Sequence, residues 1–403
     1  MSTTTGAAAN SRTIGQGPII LSGGYVSPEA FPTASLAGLA AELLRVRGAE
    51  ALQYGAEAGY APLRRLIADW LLAEQVQARP EEIVTVMGSK QAIDMCARTF
   101  CAGGGAVAVA EPVYRNALKI FSTAGTGFVT VPGDDRGMDV DALERLLADA
   151  HPGGAVRPRL IYVIPDFNNP DSAVMPAERR EKLVALATRY EIPILEDNPY
   201  RWTRFDGEPI LPLQHFDRSG IVISTGTFSK LFAPGLRVAW VHARAEFLEK
   251  IMAFKADGGI SPLTQMLTYE FFREAGSREQ HQAFHAGVLR ARRDVALQSL
   301  EQHLSDRASW NRPSGGNYLW VRFGEGVDTD ALAAKAQAAG VVYFPGSGFY
   351  ARRRPPRNYL RLCYSFEANE RMKTGIAILA DVFSSSAPTL ERGRDGGTAM
   401  EHP

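Results

Sequence analysis

Lys230 stands in the stretch IVISTGTFSKLFAPGLRVAWV, residues 221–241. Apolar runs flank it: the β-branched Ile221-Val222-Ile223, which predicts a buried strand, and a second run that begins at Val238. Gly226 breaks the first run into a polar turn. Thr227 and Ser229 put hydroxyls three and one residues before the lysine, and Arg237 follows seven after it. A lysine in a loop is ordinarily a solvated charge. Fixed between two strands beside hydroxyls and a guanidinium, this one can reach a covalent partner while Thr227 and Arg237 hold a phosphate.

Other chemistry-bearing residues recur at the ends of apolar runs. Ile192-Pro193-Ile194-Leu195 leads into Glu196-Asp197, with Tyr200 three residues after Asp197; a carboxylate at the end of a buried strand is costly unless it is paired. Strand Ile83–Val86 leads through Gly88-Ser89-Lys90 into a helix over about 91–101, and the free N–H groups and dipole of such a helix start favour phosphate. Strand 106–110 delivers Tyr114, whose face can cover a flat, electron-poor heterocycle. Apolar strand Leu160–Ile164 ends in a turn that carries Asn169-Pro170. The adjacent Gly23 and Gly24 let backbone approach a ligand closely. Arg361 lies within the alternating strand Tyr359–Ser365, and its planar guanidinium suits bidentate capture of a carboxylate better than lysine does.

The elements that must position these residues alternate strand with helix, which predicts an α/β domain with a mostly parallel sheet. Helices are expected near 35–47, 91–101, 176–190, 250–275 and 277–305, and the last third of the chain reads as a second domain. A length of 403 residues fits one large and one smaller domain. Zero formal net charge and the lack of a long basic stripe argue against nucleic acid. The start of the chain has no signal-peptide pattern, and no stretch reaches the roughly 18 apolar residues of a membrane span. The histidines show no metal-ligand pattern, so no metal is expected. Cys96, Cys101 and Cys363 lack both disulfide-framework and metal spacing and suit a reducing, cytoplasmic setting. The 8 Lys against 36 Arg are read as a reflection of genomic base composition.

Taken in order, these motifs resemble the aminotransferase class I/II family, the fold-type I enzymes that use pyridoxal 5'-phosphate (PLP). The resemblance runs from about residue 19 to 383. It includes Gln53-Tyr54-Gly55 followed by Leu63-Arg64, Ser261-Pro262 with Gln265, and Pro313-Ser314-Gly315-Gly316. It is nearest in flavour to multisubstrate aminotransferases and to the effector domains of MocR-type regulators.

The resemblance implies a large PLP-binding domain over 46–290 with a mostly parallel central sheet in α/β layers. It implies a smaller α+β domain over 291–385, with residues 1–45 forming an N-terminal arm and part of that small domain; 386–403 reads as a disordered tail. Lys230 would carry the cofactor as an aldimine and then serve as base. Asp197 would face the ring nitrogen, Tyr114 would stack, and Asn169 and Tyr200 would set the ring hydroxyl. Ser89, Lys90, Thr227, Ser229 and Arg237 would hold phosphate, together with Tyr54 and Ser261 from the other subunit of a homodimer. Arg361, Asn169, Gly23 and Gly24 would receive the substrate carboxylate.

Three departures stand near these motifs: Lys90 where glutamine is usual, Asp171-Ser172 where Thr-Gly is usual, and Asn317 at a usually apolar place. The expected reaction moves the amino group of an α-amino acid to a 2-oxo acid. The alternative uses the same carbanion for elimination, replacement, cyclisation, carbon–carbon bond formation or oxidation. A non-catalytic effector domain is a remote third reading, since only about 20 residues precede the matched block. No second-carboxylate arginine is evident, with Arg201 and Arg204 beside Tyr200 as the candidates.

Overall fold

The computed structural model describes residues 17–150 and 156–384. Its centre is an eight-stranded sheet in the order Ile83–Val86, Ala239–His242, Val222–Thr227, Ile194–Asn198, Leu160–Val163, Ala106–Glu111, Gly127–Asp134, Gly137–Met138. The strands from Val222–Thr227 to Gly127–Asp134 pair in parallel, while Ala239–His242 is antiparallel to both of its neighbours. The inner strands are buried almost throughout because helices cover both faces, as parallel sheets require. Ile83–Val86 therefore runs in the same direction as the parallel set. Six strands deliver their carboxyl ends to one rim, where open α/β sheets bind ligands.

A second, antiparallel sheet has the order Ala308–Trp310, Tyr318–Phe323, Tyr359–Cys363, Phe344–Pro345. Its own core includes Leu319, Val321, Leu360 and Leu362 together with Ile376 and Leu379 from the helix Asn369–Ser384. Ile19 and Ile20 pair in parallel with Val341 and Val342, so the beginning of the described chain lies beside its last third. The 28-residue helix Ser277–Leu304 runs between the two sheets in sequence.

The architecture is the fold-type I α/β arrangement expected from the sequence. One expected element is different. The helix foreseen over 250–275 is two helices, Ala245–Met252 and Pro262–Phe272. Between them Gly258 and Gly259 adopt φ of 65° and 94°, left-handed conformations through which no helix can run and which suit glycine. Ser261 then caps the new helix by accepting from Thr264 N, with Pro262 at its first position.

Candidate active site

A cavity of about 600 Å³ opens at the rim where these strands end. The large sheet supplies Ser89, Lys90, Tyr114, Asn169, Asp197, Tyr200, Thr227, Ser229, Lys230 and Arg237 to its wall; Gly23, Gly24 and Arg361 come from the other side. The structure thus gathers residues spread over more than 300 positions of sequence. Tyr54 and Ser261 do not line it. Tyr54 is 90% exposed, and its neighbour Gly55 abuts Pro262, so the two expected cross-subunit residues share a separate surface.

One end of the cavity is built for an anion. Gly88 precedes the helix Ser89–Cys101 with φ of 81°, and a Cβ there would stand 2.0 Å from Arg237 Nη2. The absence of a side chain lets the guanidinium lie against the backbone, where Nη2 donates to Met87 O at 3.1 Å. Arg237 itself is left-handed, with φ of 58°. Thr227 Oγ1 accepts from Ser229 N at 3.1 Å and lies 3.0 Å from Ser229 Oγ, which fixes both hydroxyls. Burial and the nearby charges of Arg237 and Lys119 hold the Lys90 amine below its ordinary pKa, a crowding of cations that an anion would relieve.

Lys230 follows Val222–Thr227, and its Nζ donates to Gly24 O at 2.5 Å. Burial is the main cause that brings its pKa down to about 8, with Arg361, Lys90 and Arg237 adding to the effect and Cys363 opposing it. The amine is therefore partly neutral near physiological pH, the state in which it is a nucleophile or a base.

Asp197 lies in the strand Ile194–Asn198, almost wholly buried. Its Oδ2 accepts from Tyr162 OH at 2.8 Å, whereas Oδ1 has no partner among the described residues. Burial pushes the carboxyl up to about 7, against the lowering effect of the Tyr162 hydrogen bond. An orphaned buried carboxylate oxygen facing a cavity fits a cationic ring nitrogen, which would supply the missing hydrogen bond and charge. With the anion cradle, this makes the residues present a fit for PLP.

Tyr114, half-buried, receives a 3.2 Å hydrogen bond from Asn116 Nδ2 at its hydroxyl. Opposite, Arg361 Nη1 donates to Asn169 Oδ1 at 2.8 Å, Nη2 donates to Ser22 O, and Nε has no partner among the described residues. Its Cζ sits 4.0 Å from the Tyr318 ring centroid. Asn169 Nδ2 reaches Tyr200 OH at 3.5 Å, and Tyr200 OH donates to Tyr318 OH at 3.2 Å.

Arg201 and Arg204 are not part of this wall. Arg201 Nε pairs with Glu74 at 2.8 Å and Arg204 with Asp166 at 3.3 Å, and Asp166 is held chiefly by the fully buried Arg180. They line a separate cavity, which corrects the idea that either serves as a second-carboxylate group here. The departures at Asp171-Ser172 build the loop around Asn169. Asp171 Oδ1 accepts from Asn168 Nδ2 and Ala173 N, and Ser172, with φ of 57°, donates from Oγ to Tyr318 O at 2.9 Å. Asn317 is buried next to Tyr318, its backbone oxygen accepting from Tyr364 N.

Four site residues escaped the reading of the sequence: Tyr162, Tyr318, Phe344 and Arg115. The cavity wall includes the last three, and Tyr162 supports Asp197 from below. Tyr162 carried a signal, a phenol within an otherwise aliphatic buried strand that must find a partner. Among the described residues no group of three or more His, Cys, Asp or Glu is arranged to hold a metal ion, and no helix is long and apolar enough to cross a membrane.

The family model for aminotransferase class I and II matches residues 28–377. The chain is 36% identical to aromatic-amino-acid aminotransferase 1 of Thermococcus litoralis, over 90% of this chain and 87% of that one. It is 35% identical to 2-aminoadipate transaminase of Thermus thermophilus, over 90% and 89%. Among solved structures it superposes on the multiple substrate aminotransferase of Thermococcus profundus with a TM-score of 0.85, at 34% identity and 92% coverage of each chain.

Proposed function

The chain belongs to the class I and II aminotransferase family and is an amino acid aminotransferase; from that premise we propose that it carries PLP on Lys230 and passes the amino group of an α-amino acid to a 2-oxo acid. The observation that carries the assignment of residues is the meeting of Lys230, Asp197 and Arg361 in one cavity beside an anion cradle. When bound, PLP supplies an electron sink for the substrate α-carbon.

The protein's own groups do the rest. Asp197 would keep the ring nitrogen protonated through its charge and a hydrogen bond to its unpartnered oxygen. Tyr114 would cover the ring, and Asn169 and Tyr200 would meet its hydroxyl. Gly88 leaves room for Arg237, which with Ser89, Lys90, Thr227 and Ser229 would hold the phosphate. Arg361, with Gly23 and Gly24 nearby, receives the substrate carboxylate and so aims the α-hydrogen toward Lys230. The Lys230 amine, which burial brings to a pKa of about 8 in the cofactor-free chain, would take that proton from the α-carbon and deliver it to the cofactor carbon that receives the amino group.

Two further parts of the reading concern the whole assembly. Tyr54, exposed and outside the cavity, is proposed to complete the phosphate site of a second copy together with Ser261, so that the working unit is a homodimer. The three cysteines, all buried and unbonded, support work in a reducing cytoplasm. Nothing in the geometry favours elimination, replacement or oxidation: Asp171 and Ser172 serve the fold of a loop. The test is turnover of a panel of amino acids with 2-oxoglutarate. Matched formation of glutamate and the donor's 2-oxo acid supports transamination, and product formation without any 2-oxo acid from the donor would refute it.

A further inference from the structure

Arg115 is the first residue of the helix Arg115–Thr123, immediately after Tyr114, and it lines the cavity. Among the described residues no hydrogen bond or ion pair engages its guanidinium. The group is stacked instead, with Cζ 4.5 Å from the Phe344 ring centroid. The same ring lies 4.9 Å from Cζ of Arg361, which is the cross-strand partner of Phe344. One aromatic side chain thus holds two guanidinium groups in a fixed relation within one cavity.

The wall carries Lys90, Arg115, Lys230, Arg237 and Arg361 against a single carboxylate, Asp197. Resting on the functional reading above, phosphate answers Lys90 and Arg237, the ring nitrogen answers Asp197, and the α-carboxylate answers Arg361. Lys230 is committed to the cofactor. Arg115 is the cation left over. Burial and the charge of Arg361 hold its pKa below the usual guanidinium value, so its charge is there at a cost that an anion would repay.

We propose that Arg115 is a specificity-determining residue that binds the side-chain carboxylate of an acidic amino acid or dicarboxylic 2-oxo acid whose α-carboxylate lies on Arg361. Phe344, in contact with both guanidiniums, packs against the methylene chain that joins the carboxylates. A planar fork suits this role, because two N–H groups can meet both oxygens.

The experiment compares PLP-loaded wild type, Arg115→Gln and Arg361→Gln. Its first readout is kcat/KM for L-glutamate relative to L-leucine; its second is calorimetric binding of glutarate relative to pentanoate, a monocarboxylate of equal chain length. For Arg115→Gln the glutamate-to-leucine ratio and the glutarate-to-pentanoate ratio each fall about 10-fold or more, the size of a lost charge-assisted pair. Arg361→Gln weakens all four ligands. Equal losses for acidic and neutral ligands in Arg115→Gln would overturn the proposal. If wild type transaminates neither donor, the reading of the reaction fails, and the glutarate and pentanoate affinities still decide the role of Arg115.

Discussion

Tyr162 OH donates to Asp197 Oδ2 at 2.8 Å from a neighbouring parallel strand and leaves Oδ1 of that carboxylate, at the cavity wall, without a partner among the described residues. The phenol therefore both orients the carboxylate and opposes the effect of burial, which has raised its pKa to about 7. Tyr162→Phe removes that opposition, so a larger share of Asp197 is protonated at pH 7 and cannot pair with a ring cation. PLP affinity at pH 7 is expected to fall roughly 10-fold, about 1–2 kcal/mol, with partial recovery at pH 9. PLP titration of both proteins across pH measures this; equal affinities at all pH values would contradict it.

Asp197 also sets a pH dependence in the cofactor-free protein. Its folded pKa, about 7, lies above the ordinary 3.8, so folding favours the protonated form. The resulting contribution is fully present below pH 3.8 and is lost as pH rises through 7, a change on the order of 4 kcal/mol for a shift of this size. Asp197→Asn is expected to flatten this loss, making the cofactor-free variant more stable than wild type at pH 8 while weakening PLP retention. Urea unfolding of both apoproteins at pH 5 and pH 8 checks it. A variant less stable than wild type at pH 8 would count against the buried, unpaired charge.

Ser172 combines a left-handed backbone with a hydrogen bond to Tyr318 O. Ser172→Ala keeps the strain and loses the bond, whereas Ser172→Gly loses the bond and relieves the strain. The alanine variant is expected to be the less stable of the two by about 1 kcal/mol. Both variants lack the hydroxyl, so denaturant midpoints in the opposite order would show that the left-handed backbone here costs less than the chain entropy that glycine adds to the unfolded state.

The proposed two-subunit site predicts complementation. Lys230→Ala destroys a site in its own chain, and Tyr54→Ala weakens the site of the other. Mixed dimers contain one site with Lys230 from the Tyr54 variant and Tyr54 from the Lys230 variant, both native. Refolding the two variants together is expected to restore up to about one quarter of wild-type activity, the statistical share of native sites under random pairing. No gain over the sum of the separate variants would place Tyr54 outside the site.

Much of the site was legible because each motif marks the end of a strand, and parallel strands end on one rim. Lys230, Asp197, Asn169, Tyr114 and Ser89 all stand just past predicted strands, and the family resemblance singled them out there. What was hidden depends on partners distant in sequence. Arg361 meets Ser22 across 339 positions, and Phe344 gains meaning only from its register beside Arg361. Arg201 and Arg204 misled because Glu74 and Asp166, which neutralise them, are brought close only by folding. Arg115 was overlooked because its neighbour Tyr114 explained the motif. The split of the 250–275 helix was written in Gly258-Gly259, two residues whose local effect outweighs the apolar pattern around them.

The central claim is that Lys230 is the covalent carrier of the cofactor. Borohydride reduction of PLP-loaded protein, followed by peptide mass spectrometry, tests it directly. The prediction is one reduced pyridoxyl phosphate adduct per chain on the peptide that contains Lys230, and none in Lys230→Ala under the same treatment. An adduct at another lysine in wild type, or undiminished labelling in the variant, would contradict it.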